Sequence, residues 1–289
     1  MASINKTIFD FGYRIACELK AKALLTYAEA VGDIELPPSG DGKPQIILAT
    51  KSEDNLTGLA DKYQTITVPN VSLTRLGQVK IAITKGIAMG IFHQGDKIVC
   101  LSGVPRFGYV DSIFVIDVGR EFEILTSENF SDITEDIQPE VFGEVLNIAL
   151  ELAAQGREGR KVGTTFILGD HERVLQLSRQ MIINPFQGYK EEDRNILNPN
   201  LKETIKEFSA LDGAFIIRGD GVLITAGRHL SAALESKDFP QGLGSRHISA
   251  AGITSVTKAL AVVLSESSGN VSIFKDGKIF VTIEKPIEH

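Results

Sequence analysis

Strand-like runs alternate with helical stretches along most of the 289 residues, and this alternation constrains the fold more than any other feature. In the first half, five apolar runs predict strands, at residues 45–50, 65–68, 90–92, 97–101 and 112–118. Apolar side chains recur at steps of three or four over residues 3–31, which predicts one amphipathic helix, and residues 72–82 predict another. Such alternation is typical of an α/β domain with a parallel or mixed sheet.

The second half continues the alternation and ends in strands. Helices are predicted over residues 139–155, 172–180 and 201–209, with a helix-compatible stretch at 248–253 and a helical start at 256–261. Strands are predicted at residues 164–168, 214–217, 222–225, 261–265, 271–274 and 279–283. This pattern predicts a second α/β domain with a mixed sheet.

Residues 127–138 are acidic, poor in large apolar side chains and followed by Pro139, so they predict a linker. At about 100–200 residues per domain, the length fits two domains. We therefore expect domains at residues 1–138 and 139–289.

Composition excludes several classes of protein. Lys and Arg number 30 against 37 Asp and Glu, giving a formal net charge of −7, and the chain has no Trp. An acidic chain without aromatic platforms is not a general nucleic-acid binder, although a local cationic pocket could still hold a nucleotide.

No stretch approaches about 18 apolar residues, and no signal pattern opens the sequence, so we expect neither secretion nor a membrane span. Cys17 and Cys100 lie among apolar residues without metal-site spacing, which predicts buried thiols in a reducing cytoplasm.

The first polar motif is Asp212-Gly213-Ala214, between a predicted helix and a predicted strand. Its carboxylate could bind a metal or a sugar hydroxyl, while the small residues would let a ligand lie against the backbone. The alternative is a simple turn in which Asp212 is solvated.

The second motif is the segment 242–247, in which small residues precede Ser245, Arg246 and His247 at the start of a helical stretch. Exposed N–H groups at a helix start, with a hydroxyl, a guanidinium and an imidazole, suit a polyphosphate. The alternative is a helix whose N-cap is Ser245, with two exposed charges. The segment has neither the P-loop nor the dinucleotide-binding pattern.

The third motif is Ser265-Glu266-Ser267-Ser268-Gly269, at the end of an apolar strand. Strand ends in α/β domains are where ligands usually bind. The alternative is a hairpin turn with positive φ at Gly269-Asn270.

These motifs in this order resemble the diadenylate cyclase (DisA_N, or DAC) domain, over roughly residues 164–283. The upstream segments 95–100 and 102–105 are similar to the carboxy-terminal domain of pyruvate kinases, and this pairing resembles the archaeal-type DacZ branch of the family. The resemblance implies that two ATP molecules are condensed into cyclic di-AMP and two pyrophosphates. It also implies an N-terminal domain for regulation or oligomerisation.

The resemblance assigns roles to particular residues. Asp212 would act on the attacking hydroxyl and, with Glu266, bind one Mg²⁺ or Mn²⁺ ion, since oxygen ligands suit hard cations. Arg246 and His247 would clamp the phosphates as catalytic residues. The general base stays open between Asp212 and Glu266. The implied ATP-binding residues are Asp212, Gly213, Ala214, Leu243, Gly244, Ser245, Arg246, His247 and Ser265.

Two departures from the family pattern leave an alternative function open. Ile248 stands where the family usually has a second arginine, and Ser267 stands where a second glutamate is frequent. A non-catalytic sensor of ATP or cyclic di-AMP is therefore the alternative. A further interpretation makes the first domain a receptor for a small phosphorylated metabolite.

The symmetry of the implied product predicts the working unit. Cyclic di-AMP contains two identical linkages related by a two-fold axis, whereas the chain has a single copy of each motif. We therefore expect two subunits to meet face to face, as an active dimer or within a higher homo-oligomer.

Overall fold

The computed structural model describes residues 2–31, 34–38, 40, 42–52, 56, 58–103, 108–120, 136–231 and 244–286. The chain divides into two compact units, one of residues 1–131 with 286–289 and the other of residues 132–285. Most of the predicted linker at 127–138 lies outside the described residues, and the division at residue 138 stays a prediction.

The first unit is built on a five-stranded sheet in the order β3-β2-β1-β4-β5. The strands β1 to β4 run parallel, and β5 runs antiparallel to β4. Its elements are α1 (Ala2–Glu18), β1 (Ala23–Tyr27), α2 (Ala28–Val31), β2 (Gln45–Thr50), β3 (Gln64–Thr67), α3 (Arg75–Ala88), β4 (Lys97–Ser102) and β5 (Ser112–Asp117).

The single helix expected over residues 3–31 is wrong. The helix ends at Glu18, Lys20 has a positive φ of 50°, and Ala23–Tyr27 form the central strand β1. This strand is buried along its whole length and pairs with β2 on one side and β4 on the other. A strand buried on both faces does not alternate apolar with polar residues. Its apolar run therefore cannot be distinguished, by periodicity alone, from a continuation of α1.

Two other expectations for the first unit are also wrong. Residues 90–92 form a turn after α3, where Gly90 has a φ of 69° and Phe92 packs into the core. Cys100 is buried as predicted, whereas Cys17 is exposed on α1.

The second unit has a seven-stranded sheet in the order β12-β11-β10-β6-β8-β9-β7. Only β6 and β8 pair in parallel, and the other neighbours are antiparallel. The predicted mixed-sheet α/β class is thus confirmed for both units. The elements of this unit are α4 (Pro139–Gln155), β6 (Thr164–Leu168), α5 (His171–Gln176), β7 (Ser178–Gln180), α6 (Lys202–Phe208), β8 (Ala214–Ile217), β9 (Leu223–Leu230), α7 (Ser245–Ser255), β10 (Leu260–Leu264), β11 (Val271–Lys275) and β12 (Lys278–Ile283).

Two helical predictions for the second unit are corrected. The helix expected at 172–180 ends at Gln176, because Ser178–Gln180 form an edge strand paired with β9. No helix begins at Val256, which instead caps the end of α7, and β10 starts at Leu260. In both places pairing with a distant strand overrides the local helical pattern.

None of the helices among the described residues is long and apolar enough to cross a membrane.

The burial of the central strand at residues 23–27 predicts a loss of stability when its side chains are shortened. Leu25 lies off the apolar face of the helix first expected, yet it is only 2% exposed in β1. Leu25→Ala should therefore lower the free energy of unfolding by about 2–5 kcal/mol, because it leaves a cavity in the core. Urea unfolding measures the change. Leu19→Ala, at a position 42% exposed, is the control, and an equal loss in the two variants would contradict the strand.

Candidate functional site

The three polar motifs lie at one edge of the second sheet. Leu264, the last residue of β10, is opposite Thr164, the first residue of β6. On the other side of β6, Thr165 is opposite Ala214, the first residue of β8. Asp212 therefore precedes β8 at the edge where Glu266 follows β10, and two strand spacings, about 10 Å, separate their strands.

A cleft of about 660 Å³ opens at this edge. One wall is the start of α7, from Gly244 to His247, and another is the turn between β10 and β11, from Ser265 to Ser268. The structure thus brings the second and third motifs together in one cleft. Asp212, Gly213 and Ala214 are not among the described residues that line it.

The start of α7 suits an anion. The helix begins at Ser245, and Gly244 is the N-cap without a side-chain cap, so the alternative with Ser245 as N-cap is wrong. The amides of His247 and Ile248 donate to the Gly244 carbonyl. The preceding amides, of Ser245 and Arg246, belong to the N-terminal donors that a helix leaves without intrahelical partners. These donors and the helix dipole favour negative charge at this end of the cleft.

Arg246 and Glu266 form an ion pair across the cleft. The Nη1 atom of Arg246 lies 3.3 Å from Oε2 of Glu266. Gly163, which precedes β6, makes room for this pair, because a Cβ there would lie 2.7 Å from Arg246 Nη1 and 2.8 Å from Glu266 Cβ. Any larger residue at 163 would displace the guanidinium.

His247 is buried in the wall of the cleft and contributes no charge. It is 6% exposed, and its ring meets the ring of Phe274 edge-on, with centroids 5.8 Å apart. Burial, and then the nearby charge of Arg246, lower the pKa of His247. The imidazole is thus neutral at pH 7 and can offer a phosphate a hydrogen bond only.

The turn from Ser265 to Asn270 is both a hairpin and a wall of the cleft. The amide of Ser265 donates to the Asn270 carbonyl at 2.9 Å, and Gly269 has a φ of 74°. The predicted hairpin turn with a positive φ at Gly269 is confirmed. The positive φ expected at Asn270 is not found. Ser265 and Ser267 also line the cleft, and their hydroxyl oxygens lie 3.2 Å apart.

Asp212 and Gly213 form a tight turn outside the cleft. Gly213 has a φ of 101°, and a Cβ there would lie 2.6 Å from the carbonyl carbon of Gly227, so only glycine fits. The exposed Asp212 accepts a 3.0 Å hydrogen bond from the amide of Gly213. Within the described ranges, no three His, Cys, Asp or Glu side chains lie close enough to hold a metal ion. A metal shared by Asp212 and Glu266 stays a prediction.

Sequence reasoning missed Lys161 and Gly163 and named one residue that cannot be placed. Lys161 lines the cleft, and Gly163 makes room for its ion pair. Lys161 and Gly163 lie just before β6, but their place beside the β10–β11 turn depends on a strand register that the sequence does not display. Leu243, expected to bind ATP, lies outside the described residues.

Two family models match the chain. Residues 151–279 match the DAC model, described as "DisA bacterial checkpoint controller nucleotide-binding". Residues 5–126 match a model described as "Probable sensor domain DacZ_P".

Two curated relatives are similar over most of the chain. A diadenylate cyclase of Methanocaldococcus jannaschii is 33% identical over 298 residues, which cover 96% of this chain and 95% of that protein. A diadenylate cyclase of Haloferax volcanii is 35% identical and covers 72% of this chain and 75% of that protein. Among solved structures, DacA from Staphylococcus aureus is 23% identical over 50% of this chain and 87% of that chain, with a TM-score of 0.34. A pyruvate kinase from Cryptosporidium parvum is 15% identical over 39% of this chain and 22% of that chain, with a TM-score of 0.27.

The second unit is therefore a DAC domain, a nucleotide-binding domain with a mixed sheet. Given the similarity to the two archaeal proteins over most of its length, the chain belongs to the diadenylate cyclase family, in the branch that joins a DacZ_P domain to a DAC domain.

The lowered pKa of His247 predicts a pH-dependent stability. Between its folded and unfolded pKa values, the unfolded chain binds a proton that the folded chain does not, so stability falls as the pH drops below about 6.5. The slope from this group is at most about 1.4 kcal/mol per pH unit. Urea unfolding of wild type and His247→Gln between pH 7.5 and 5.5 measures the difference. His229→Gln, at an exposed position, is the control. Parallel pH profiles for wild type and His247→Gln would refute the effect.

Proposed function

We propose that this chain condenses two ATP molecules into cyclic di-AMP and two pyrophosphates, at a site completed by two subunits that meet face to face. The observation that carries the proposal is the cleft in which the start of α7 faces the serine-rich β10–β11 turn. Membership of the diadenylate cyclase family supports the same reaction.

The reaction makes two phosphodiester bonds. In each step the 3′-hydroxyl of one ATP attacks the α-phosphorus of the other, the bond to pyrophosphate breaks, and the hydroxyl proton passes to a base or water. Catalysis of this kind depends on positioning and on neutralising charge. The first amides of α7, Ser245 and Arg246 would hold the phosphates, and His247 and Ser265 would donate hydrogen bonds to them. Gly213 and Ala214 would let the nucleotide approach the backbone, and the Asp212 carboxylate would orient the attacking hydroxyl.

Two subunits are needed because each chain supplies one half of a symmetric site. Asp212 lies outside the cleft formed by the described residues of its own chain, which supports a site completed by a second copy. A two-fold axis through paired clefts would place each 3′-hydroxyl opposite the other α-phosphorus. Such pairing could be assisted by ATP and coexist with another oligomer, since bound substrate favours the assembly that binds it.

The carboxylates fit a divalent ion that arrives with the triphosphate. Asp212 and Glu266 are both exposed and offer oxygen ligands, which suit Mg²⁺ or Mn²⁺. Two side chains leave most ligand positions to phosphate and water, as is usual for Mg²⁺. When bound, such an ion would offset phosphate charge.

A binding role without turnover is the alternative. It would follow if Ile248 and Ser267, at the two positions that depart from the family pattern, left the site able to hold ATP or cyclic di-AMP only. Ile248 is not among the described residues that line the cleft, whereas Ser267 is. Mass spectrometry of the products from ATP and Mn²⁺ separates synthesis from binding.

For the first unit we propose a regulatory role through a small ligand. A cavity of about 170 Å³ lies at the carboxyl ends of its parallel strands. Tyr27 ends β1, Ser102 ends β4 and Lys51 follows β2, and all three line this cavity. The chain goes from β1 to β2 on one side and returns to β4 on the other, and such a switch point is where open α/β sheets bind ligands.

The cyclase proposal predicts that Asp212→Asn lowers the rate of cyclic di-AMP formation by about 10²-fold or more, because the hydroxyl loses the group that orients it. The substitution should leave the fold intact, since Asp212 is exposed. Product formation is followed by mass spectrometry. Asp276→Asn, in the exposed β11–β12 turn, is the control. Near-wild-type synthesis by a folded Asp212→Asn chain would sink the assignment.

The same variant tests the two-subunit site. Wild-type and Asp212→Asn chains are mixed in equal amounts and allowed to exchange partners. About a quarter of the randomly formed pairs then have Asp212 in both subunits, and mixed pairs fail to form one of the two bonds. Cyclic product should therefore fall to about a quarter of the wild-type level, with linear intermediate accumulating. A fall to one half without linear intermediate would show that single chains act alone.

The regulatory proposal predicts that a small anionic metabolite raises the unfolding temperature of the full chain by binding beside Lys51. The probes are sugar phosphates and small carboxylates, followed by thermal unfolding. At least one should stabilise wild type but not Lys51→Ala, with Lys62→Ala, on the surface of the same unit, as the control. No stabilisation, or equal stabilisation of wild type and Lys51→Ala, would refute this site.

A further inference from the structure

Lys161 is a cation in the cleft that none of the three motifs contains. It lies between α4 and β6, two residues before Gly163, and its exposed side chain lines the cleft beside Arg246 and Ser267. The strand register places it there, because β6 pairs with β10 and the β10–β11 turn begins directly after their last paired residues.

The charge of the cleft depends on this lysine. Arg246 is paired with Glu266, so these two charges cancel. His247 is neutral because its pKa is lowered. Among the described residues that line the cleft, Lys161 is then the one charge left uncompensated. Without it, the side chains facing a triphosphate would have no net positive charge.

The ammonium group of Lys161 is free to turn toward a ligand. Its one hydrogen bond within the described part of the chain is long, 3.4 Å from Nζ to the carbonyl oxygen of Ser267. It forms no ion pair there, although Glu266 lines the same cleft. An exposed lysine without a carboxylate partner can bind a phosphate without first breaking an ion pair.

We propose that Lys161 binds the polyphosphate of ATP and supplies the net positive charge of the cleft, an inference that rests on the proposed function. Lys161 lies on the side of the cleft formed by the β10–β11 turn, whereas the helix start and Arg246 lie on the other. The triphosphate would thus be held between two cations from separate elements. The pyrophosphate that leaves carries much of this charge, so the same contact would persist as the bond to it breaks.

The test is equilibrium binding to the full chain by calorimetry, with ATP, inorganic tripolyphosphate and adenosine as separate probes. Lys161→Ala should weaken the binding of ATP and tripolyphosphate about tenfold and leave adenosine unchanged, because only the phosphate contact is lost. Lys161→Arg should restore most of the affinity. Lys278→Ala, which removes an exposed lysine that does not line the cleft, should leave ATP binding unchanged.

Two outcomes would overturn the role of Lys161. One is unchanged tripolyphosphate binding in a folded Lys161→Ala chain. The other is an equal loss for adenosine and tripolyphosphate, which would indicate a structural role. Neither binding measurement needs turnover. Failure of the proposed role of Lys161 can therefore be distinguished from failure of the cyclase proposal. A wild-type chain that binds ATP but makes no cyclic di-AMP would refute synthesis and leave the phosphate contact standing.

Discussion

The register of β6 between β10 and β8 is the constraint on which the site depends. All three strands are buried along their whole length. Each of their side chains is therefore packed into the core on one particular side of the sheet. A slip of one residue would turn every side chain of a strand to the opposite side of the sheet. Because the register is held in this way, the segments that follow β10 and precede β6 and β8 are fixed at one edge.

Glycines at that edge allow the backbone and the charges to come close. Gly163 leaves room for the pair of Arg246 and Glu266, and Gly213 brings its chain against the backbone of Gly227. At Gly213 a side chain is excluded twice, by contact with backbone atoms and by the positive φ. These positions shape the site without contributing any functional group.

The electrostatics of the cleft combine a fixed field with adjustable charges. The start of α7 is positive because its first amides point out of the helix. Arg246 is paired with Glu266, while Lys161 has no such partner among the described residues. The negative charge of Glu266 weakens the attraction of the cleft for phosphate, and a divalent ion bound to Glu266 would offset that charge. Two paired clefts would need such an offset, since two triphosphates repel each other.

Much of the fold could be predicted from the sequence where local pattern decided it. The helix α4 and the strands β6 and β8 have the predicted bounds, because amphipathic periodicity and short apolar runs bounded by glycine are local signals. The strand β1 could not be recognised, since burial on both faces removes the alternation that identifies a strand. The edge strand β7 was also missed, because it depends on pairing with β9.

The sequence by itself determined the chemistry available to the site: the carboxylates of Asp212 and Glu266, the cation of Arg246 and the serines beside them. Only the tertiary structure decided which of these share a cleft, because strand pairing joins residues about 100 positions apart. It placed Asp212 outside the described lining of the cleft, neutralised His247 by burial, and brought in Lys161. The physical reason is that burial and register are set by the whole sheet, whereas residue type is set position by position.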